Sequence, residues 1–257
     1  MDVILAPDDV DPVTVVGAAR PAPLVFVCEH ASPTIPAALG DLGLSAGDRF
    51  SHAVWDPGAL ELAKALAARF DAPLVAGTLS RLVYDLNRAR GEPSAMPDRV
   101  ERVAVPGNAG LSAGAREARF AAVYAPFCAK LSAVIAAVRP VALITIHTFT
   151  PVWHGGPRAV ELGVIHDREP ALARAMVDHA PEGLATGLNQ PYSAADGVAH
   201  TLKVHGTENG IAAAMIEVRN DLVATREAAH AMAARLFPMV ERALSVTGLL
   251  EAKCSAT

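Results

Sequence analysis

Short runs of consecutive apolar residues rich in Val and Ile alternate along the chain with longer Ala-rich segments in which apolar positions recur every three to four residues. The first pattern fits strands buried on both faces and the second fits helices with one apolar stripe. Their alternation predicts an α/β fold with a mixed, mostly parallel central sheet between helices. Strands are predicted at residues 24–28, 74–76, 141–147, 160–165 and 213–218, and helices at 57–70, 115–138, 170–180 and 224–246. Three polar, Gly/Pro-rich stretches, 89–114, 148–157 and 186–206, break the rhythm. Loops this long inside a compact domain tend to carry function. The tail 251–257 is expected to fray.

Composition narrows the picture. The 257 residues, 52% of them hydrophobic, suffice for one domain with a fully buried central layer. With 22 basic and 27 acidic residues the formal charge is −5, which offers no global field for nucleic acid or an anionic membrane. An anionic substrate therefore needs a local pocket of arginines. The segment MDVILAPDDVDP places acidic residues where a leader needs basic ones, and the apolar stretch 131–147 is broken by Arg139 and Pro140, so neither a leader nor a membrane span is predicted. Cys28, Cys128 and Cys254 are scattered with no CxxC pair, which argues against a disulfide framework or thiolate zinc site and favours a reducing cytoplasm.

The chemistry lies where polar residues follow predicted strands. LVFVCEHAS runs an apolar strand into Glu29 and His30, and VALITIHTFTP runs another into His147. Ligands in open α/β sheets bind beyond the carboxyl ends of strands, so these imidazoles can converge on a metal. A hydrolytic zinc takes three protein ligands and keeps one position open. Asp56, just before Pro57, is the third candidate, although a carboxylate there also reads as a helix cap; Glu29 is the next choice. Glu217 interrupts the apolar strand of AAMIEVRNDL, where burial would raise its pKa toward that of a general base, unless it pairs with an arginine. SRLVYDLNR brings Arg81 and Arg88 together as candidates for holding an acidic substrate. Tyr192 and His205 fall in the longest late loop, where a lid is expected.

Two further patterns carry less. Gly110-Leu-Ser-Ala-Gly114 spells GxSxG, with Asp196 and His205 following in triad order, but the preceding PGNAG is a loop and Ser112 reads as a helix N-cap. His166 and Glu169 form HxxE, yet Asp167 followed by Pro170 reads as a helix start.

Taken in order, CEHAS, WDPGA, SRLVYDLNR, ITIHTFTP, NQPYS with DGVAHTLKVHG, and IEVRNDL resemble the N-formylglutamate amidohydrolase family over residues 24–236. The resemblance implies the phosphorylase/hydrolase-like three-layer sandwich shared with zinc carboxypeptidases and the aspartoacylase group. It implies one Zn2+ ion, Asn87 and Arg88 on the substrate carboxylate, and Glu217 as catalytic base. The carboxypeptidase HxxE pair is absent at His30, because Pro33 stands in the place of its glutamate.

The reading that follows is zinc on His30, Asp56 and His147; Glu217, Arg88 and Tyr192 as catalytic groups; and Arg81, Asn87, Arg219 and His205 on the substrate. The expected reaction is hydrolysis of a small anionic N-acyl amino acid, N-formyl-L-glutamate first. Another acylated or peptide substrate, or a non-catalytic small-anion binder, are the alternatives.

Overall fold

A computed structural model describes residues 4–6 and 8–254 of the chain. In chain order the strands are β1 (Val13–Val16), β2 (Leu24–Cys28), β3 (Leu74–Gly77), β4 (Arg99–Val100), β5 (Val103–Ala104), β6 (Ala142–Phe149), β7 (Val152–Trp153), β8 (Gly156–Pro157), β9 (Leu162–Ile165), β10 (Thr186–Leu188) and β11 (Ala212–Arg219). Seven of them form one sheet in the order β1-β3-β2-β6-β11-β9-β10. The run β3-β2-β6-β11 is parallel, as is the pair β9–β10, whereas β1 joins β3 and β9 joins β11 antiparallel. All eight residues of β6 and all five of β2 are buried, as expected of strands covered on both faces. The strands β1 and β10, four and three residues long, are too short to stand out in the sequence. The hairpins β4–β5 and β7–β8 lie outside the main sheet.

The helices are α1 (Ala59–Arg69), α2 (Ala113–Arg119), α3 (Ala125–Val138), α4 (Ala171–Asp178), α5 (Arg226–Val246) and α6 (Leu249–Cys254). Helices α1, α4 and α5 pack side by side on one face of the sheet, and α3 covers the other against β1, β2 and β3. The helix predicted at 115–138 is two helices joined by a π turn at Phe120–Tyr124. Pro126 accounts for the break: it has no N–H to donate, and its ring excludes the carbonyl four residues back. Helix α3 buries Phe127, Leu131, Val134 and Val138 and exposes alanines, Lys130 and Ser132, the pattern of a helix on a protein core rather than in lipid. Where the tail was expected to fray, α6 continues to Cys254; residues 255–257 lie outside the described residues.

Three local features aim the site. The first helix begins after Gly58, not at Asp56, so the cap reading of Asp56 fails and its carboxylate is free for other partners. Gly58 has φ +86°, and a Cβ there would stand 2.5 Å from the Val223 carbonyl oxygen, which excludes any other residue. Gly163 on β9 lets the backbone of Gln190 cross the sheet end beside Glu217: a Cβ would lie 1.9 Å from the Gln190 oxygen. Gly163→Ala is therefore expected to push Pro191 and Tyr192 out of place, costing about 1–3 kcal/mol of stability; a melting curve matching that of the wild type would refute this close approach.

Candidate active site

The parallel strands β2 and β3 run in one direction across the sheet, and β6 then sits on the other side of β2. This places a topological switch point between β2 and β6, where the carboxyl ends of the strands open a crevice. His30 follows β2, His147 lies near the end of β6, and Glu217 is the Cα partner of His147 on β11. Asp56 is brought in by the loop before α1, its N–H donating to the His30 carbonyl at 2.9 Å.

His30, Asp56 and His147 are all buried and offer ligand atoms within 4.8 Å of one another. Asp56 Oδ2 lies 2.9 Å from His147 Nδ1 and 3.3 Å from His30 Nδ1. The outer ring nitrogens each face a second buried carboxylate: His30 Nε2 meets Asp85 Oδ1 at 2.7 Å, and His147 Nε2 stands 3.1 Å from Glu29 Oε2 without meeting hydrogen-bond angles. Carboxylates on the outer nitrogens are what orient histidines that hold a metal through the inner ones. Two imidazoles and one carboxylate, with a cavity on the open side, fit a zinc ion that keeps a position for water. Glu29 stands behind His147 and outside this donor set.

The electrostatics follow from the crowding. Burial alone would raise the carboxyls of Asp56 and Asp85, but His30 and, for Asp85, Arg81 hold both well below the usual carboxylate range. Burial would lower His147, and Glu29 and Asp56 instead hold its imidazolium well above the ordinary histidine range. His52, 3.5 Å from Asp56 Oδ1, is lowered to about 4, chiefly by burial. Glu217 is the exception among the acids: burial raises it to about 7, and its Oε2 has no hydrogen-bond partner.

That raised carboxyl carries a stability cost with a definite sign. Between the ordinary carboxyl range and pH 7 the folded chain keeps a proton that the unfolded chain has released, so stability falls as pH rises through this window. The displacement from 4.5 to about 7 corresponds to roughly 3 kcal/mol. Glu217→Gln should therefore melt above the wild type at pH 8 in chelator and match it near pH 4.5. Equal melting at both pH values would mean that the carboxyl is not desolvated.

A cavity of about 750 Å³ opens over this cluster, lined among others by Arg81, Arg88, Arg158, Tyr192 and Glu217. Arg81 bridges the two acids, donating to Asp56 Oδ1 at 3.2 Å and Asp85 Oδ2 at 3.0 Å. Arg88 lines the cavity, with one Nη1 donating to the Gly197 carbonyl and a buried Nε that has no partner.

Other expected residues stand elsewhere. Asn87 reaches the cavity wall, but its amide is engaged at both ends, donating to the Val198 carbonyl and accepting from the Thr201 N–H, so it docks the late loop. Arg219 does not line the cavity: it lies one pleat beyond Glu217, where Glu161 and Asp221 take its guanidinium at 2.8–3.2 Å. His205 is likewise absent from the wall; it is buried in a π turn, Leu202–Gly206, packed on β6 and β11. A residue packed on the sheet is no part of a lid.

The GxSxG serine is an N-cap, Ser112 Oγ accepting from the Ala115 N–H at 3.1 Å. His166 donates through its backbone N–H to Asn189 Oδ1, and it belongs to no metal-competent cluster among the described residues. Sequence reasoning missed Asp85, His52 and Arg158 as site residues. Asp85 sits within the quoted SRLVYDLNR, three residues before Arg88, and its position beside Arg81 was the available signal. Nothing in the sequence around Arg158 marks it.

The family described as N-formylglutamate amidohydrolase matches residues 22–224. A crystallised gene product of Agrobacterium tumefaciens is similar over 95% of this chain and 99% of its own, at 43% identity and a TM-score of 0.91. N-formylglutamate amidohydrolase from Ralstonia eutropha has the same fold, with 19% identity, coverage of 93% of this chain and 99% of that one, and a TM-score of 0.69. No curated protein matches. With more than half of its length matched, and with a buried histidine–carboxylate cluster at the sheet's switch point, the chain belongs to the N-formylglutamate amidohydrolase family.

Proposed function

We propose that the protein hydrolyses the amide bond of a small N-acyl amino acid, N-formyl-L-glutamate first, releasing formate and glutamate. The observation that carries this reading is the meeting, in one cavity, of the unpartnered buried Glu217 carboxyl with the His30–Asp56–His147 donor set. Those three residues would hold a zinc ion, which when bound would supply Lewis acidity toward an amide carbonyl and lower the pKa of water.

Glu217 takes the proton of the attacking water at its free Oε2 and returns it to the departing amine nitrogen. Burial raises this carboxyl above the ordinary carboxylate range, which brings its proton affinity nearer to what taking and returning a proton requires. The Tyr192 hydroxyl accepts from Arg158 Nη2 at 2.8 Å, which leaves its own proton to donate to the oxygen that gains charge in the transition state. Arg88, with no carboxylate partner among the described residues, holds the substrate's α-carboxylate. Arg81 is occupied by Asp56 and Asp85 and keeps the donor set in place. A family member that only bound small anions would have no need of a desolvated, unpartnered glutamate beside its metal ligands.

Assaying purified protein against N-formyl, N-acetyl and dipeptide forms of glutamate tests the substrate assignment. The formyl compound is expected to have the highest kcat/KM; preference for another acyl group would reassign it within the same chemistry.

A further inference from the structure

The cavity holds a second arginine that forms no ion pair among the described residues. Arg158 lies between the β7–β8 hairpin and β9, and no carboxylate among the described residues pairs with it. Its guanidinium carbon stands 4.8 Å from the Tyr192 ring centre, 5.1 Å from that of Trp153 and 5.4 Å from that of Phe149. These rings come from the late loop, the hairpin and the end of β6, so three separate parts of the fold converge on one cation.

Aromatic faces against a guanidinium hold it through its faces and leave its edge as the direction for hydrogen bonds. Of the five N–H donors, one goes to the Thr150 carbonyl at 3.3 Å and one to Tyr192 Oη at 2.8 Å. The backbone is pinned as well: the Arg158 N–H donates to the Pro151 carbonyl, and Arg219 Nη1 donates to the Arg158 carbonyl at 3.4 Å. Of the acids lining the cavity, Glu101 accepts from the His154 N–H and Asp196 from Ser193.

A fixed, caged arginine with spare donors toward a cavity is built for an anion. Arg88 offers a second cation on the same cavity wall, so the cavity presents two guanidiniums that no carboxylate among the described residues pairs with directly. We propose that Arg158 is the specificity-determining residue, holding the side-chain carboxylate of a dicarboxylic substrate while Arg88 holds the α-carboxylate. This rests on the reading of the cavity as the substrate site.

The test uses two measurements on the wild type, Arg158→Met and Arg158→Lys. The first is calorimetric binding of glutarate and of valerate, acids of equal chain length with two and one carboxylates. The second is kcat/KM for N-formyl-L-glutamate against N-formyl-L-glutamine.

The wild type is expected to favour the dianionic member of each pair, and Arg158→Met to reduce both ratios about 10- to 100-fold, the worth of a charge-assisted hydrogen-bonded contact. Arg158→Lys, which keeps the charge and loses the fork, should fall between, and its ratios decide if the Met variant does not fold. Ratios unchanged by these substitutions, or a wild type with no preference for glutarate over valerate, overturn the proposal. An Arg158-dependent preference for glutarate without formate release would remove the deformylase reading alone. Formate release with an unaltered glutamate-to-glutamine ratio in the variants would remove the Arg158 assignment alone.

Discussion

Glu217→Gln is expected to lower kcat by about 10²-fold or more without changing metal content. The amide matches the carboxyl in shape and fills the same buried space at the end of β11, but it cannot accept a proton from water. The three proposed ligands are untouched, so metal content measured on the purified variant is expected to equal that of the wild type. A base that must be ionised also sets the acid side of the pH profile. With burial raising Glu217 to about 7, kcat/KM should fall as pH drops below that region, and bound zinc would move the edge lower by favouring the carboxylate. Turnover within a few-fold of the wild type would remove Glu217 from the mechanism.

The second large effect is loss of the metal itself. His147→Ala removes one of the three proposed donors and takes the imidazole away from Glu29 and Asp56. Stoichiometric zinc should be lost on dialysis, and activity with it. Because Glu29 loses its imidazole partner and Asp56 one of several, a stability loss of about 3–5 kcal/mol is expected as well. His147→Asn separates the two effects, since it retains a hydrogen-bonding side chain near the carboxylates while removing the imidazole. Full zinc content in both variants would refute the ligand set.

These predictions draw on features that differed in how plainly the sequence announced them. The apolar runs of β2, β6 and β11 were legible because strands covered on both faces read as near-continuous apolar stretches rather than alternating ones. His30, His147 and Glu217 stood out for the same reason, as polar residues within or just after such runs. Asp56 was harder: a carboxylate before a proline suits a helix start, and only Gly58, with a conformation other residues avoid, shows that the cap lies elsewhere.

Arg219 misled because proximity along a strand says nothing of what waits beside it; one pleat past Glu217 it meets Glu161 and Asp221 rather than the cavity. Arg158 was invisible for the opposite reason. Its cage is assembled from Phe149, Trp153 and Tyr192, and Tyr192 lies 34 residues away along the chain. Likewise the outer carboxylates Glu29 and Asp85 acquire meaning only when the sheet sets them behind the histidines. Local pattern reports which element a residue occupies, and tertiary contact alone reports what its side chain faces.

The central claim is that this cavity performs zinc-dependent deformylation, and release of formate from N-formyl-L-glutamate tests it most directly. The purified protein would be assayed as isolated, after chelation and dialysis, and after zinc is restored. The account predicts formate release that chelation abolishes and zinc returns. Metal-replete protein that binds N-formyl-L-glutamate and releases no formate would contradict it.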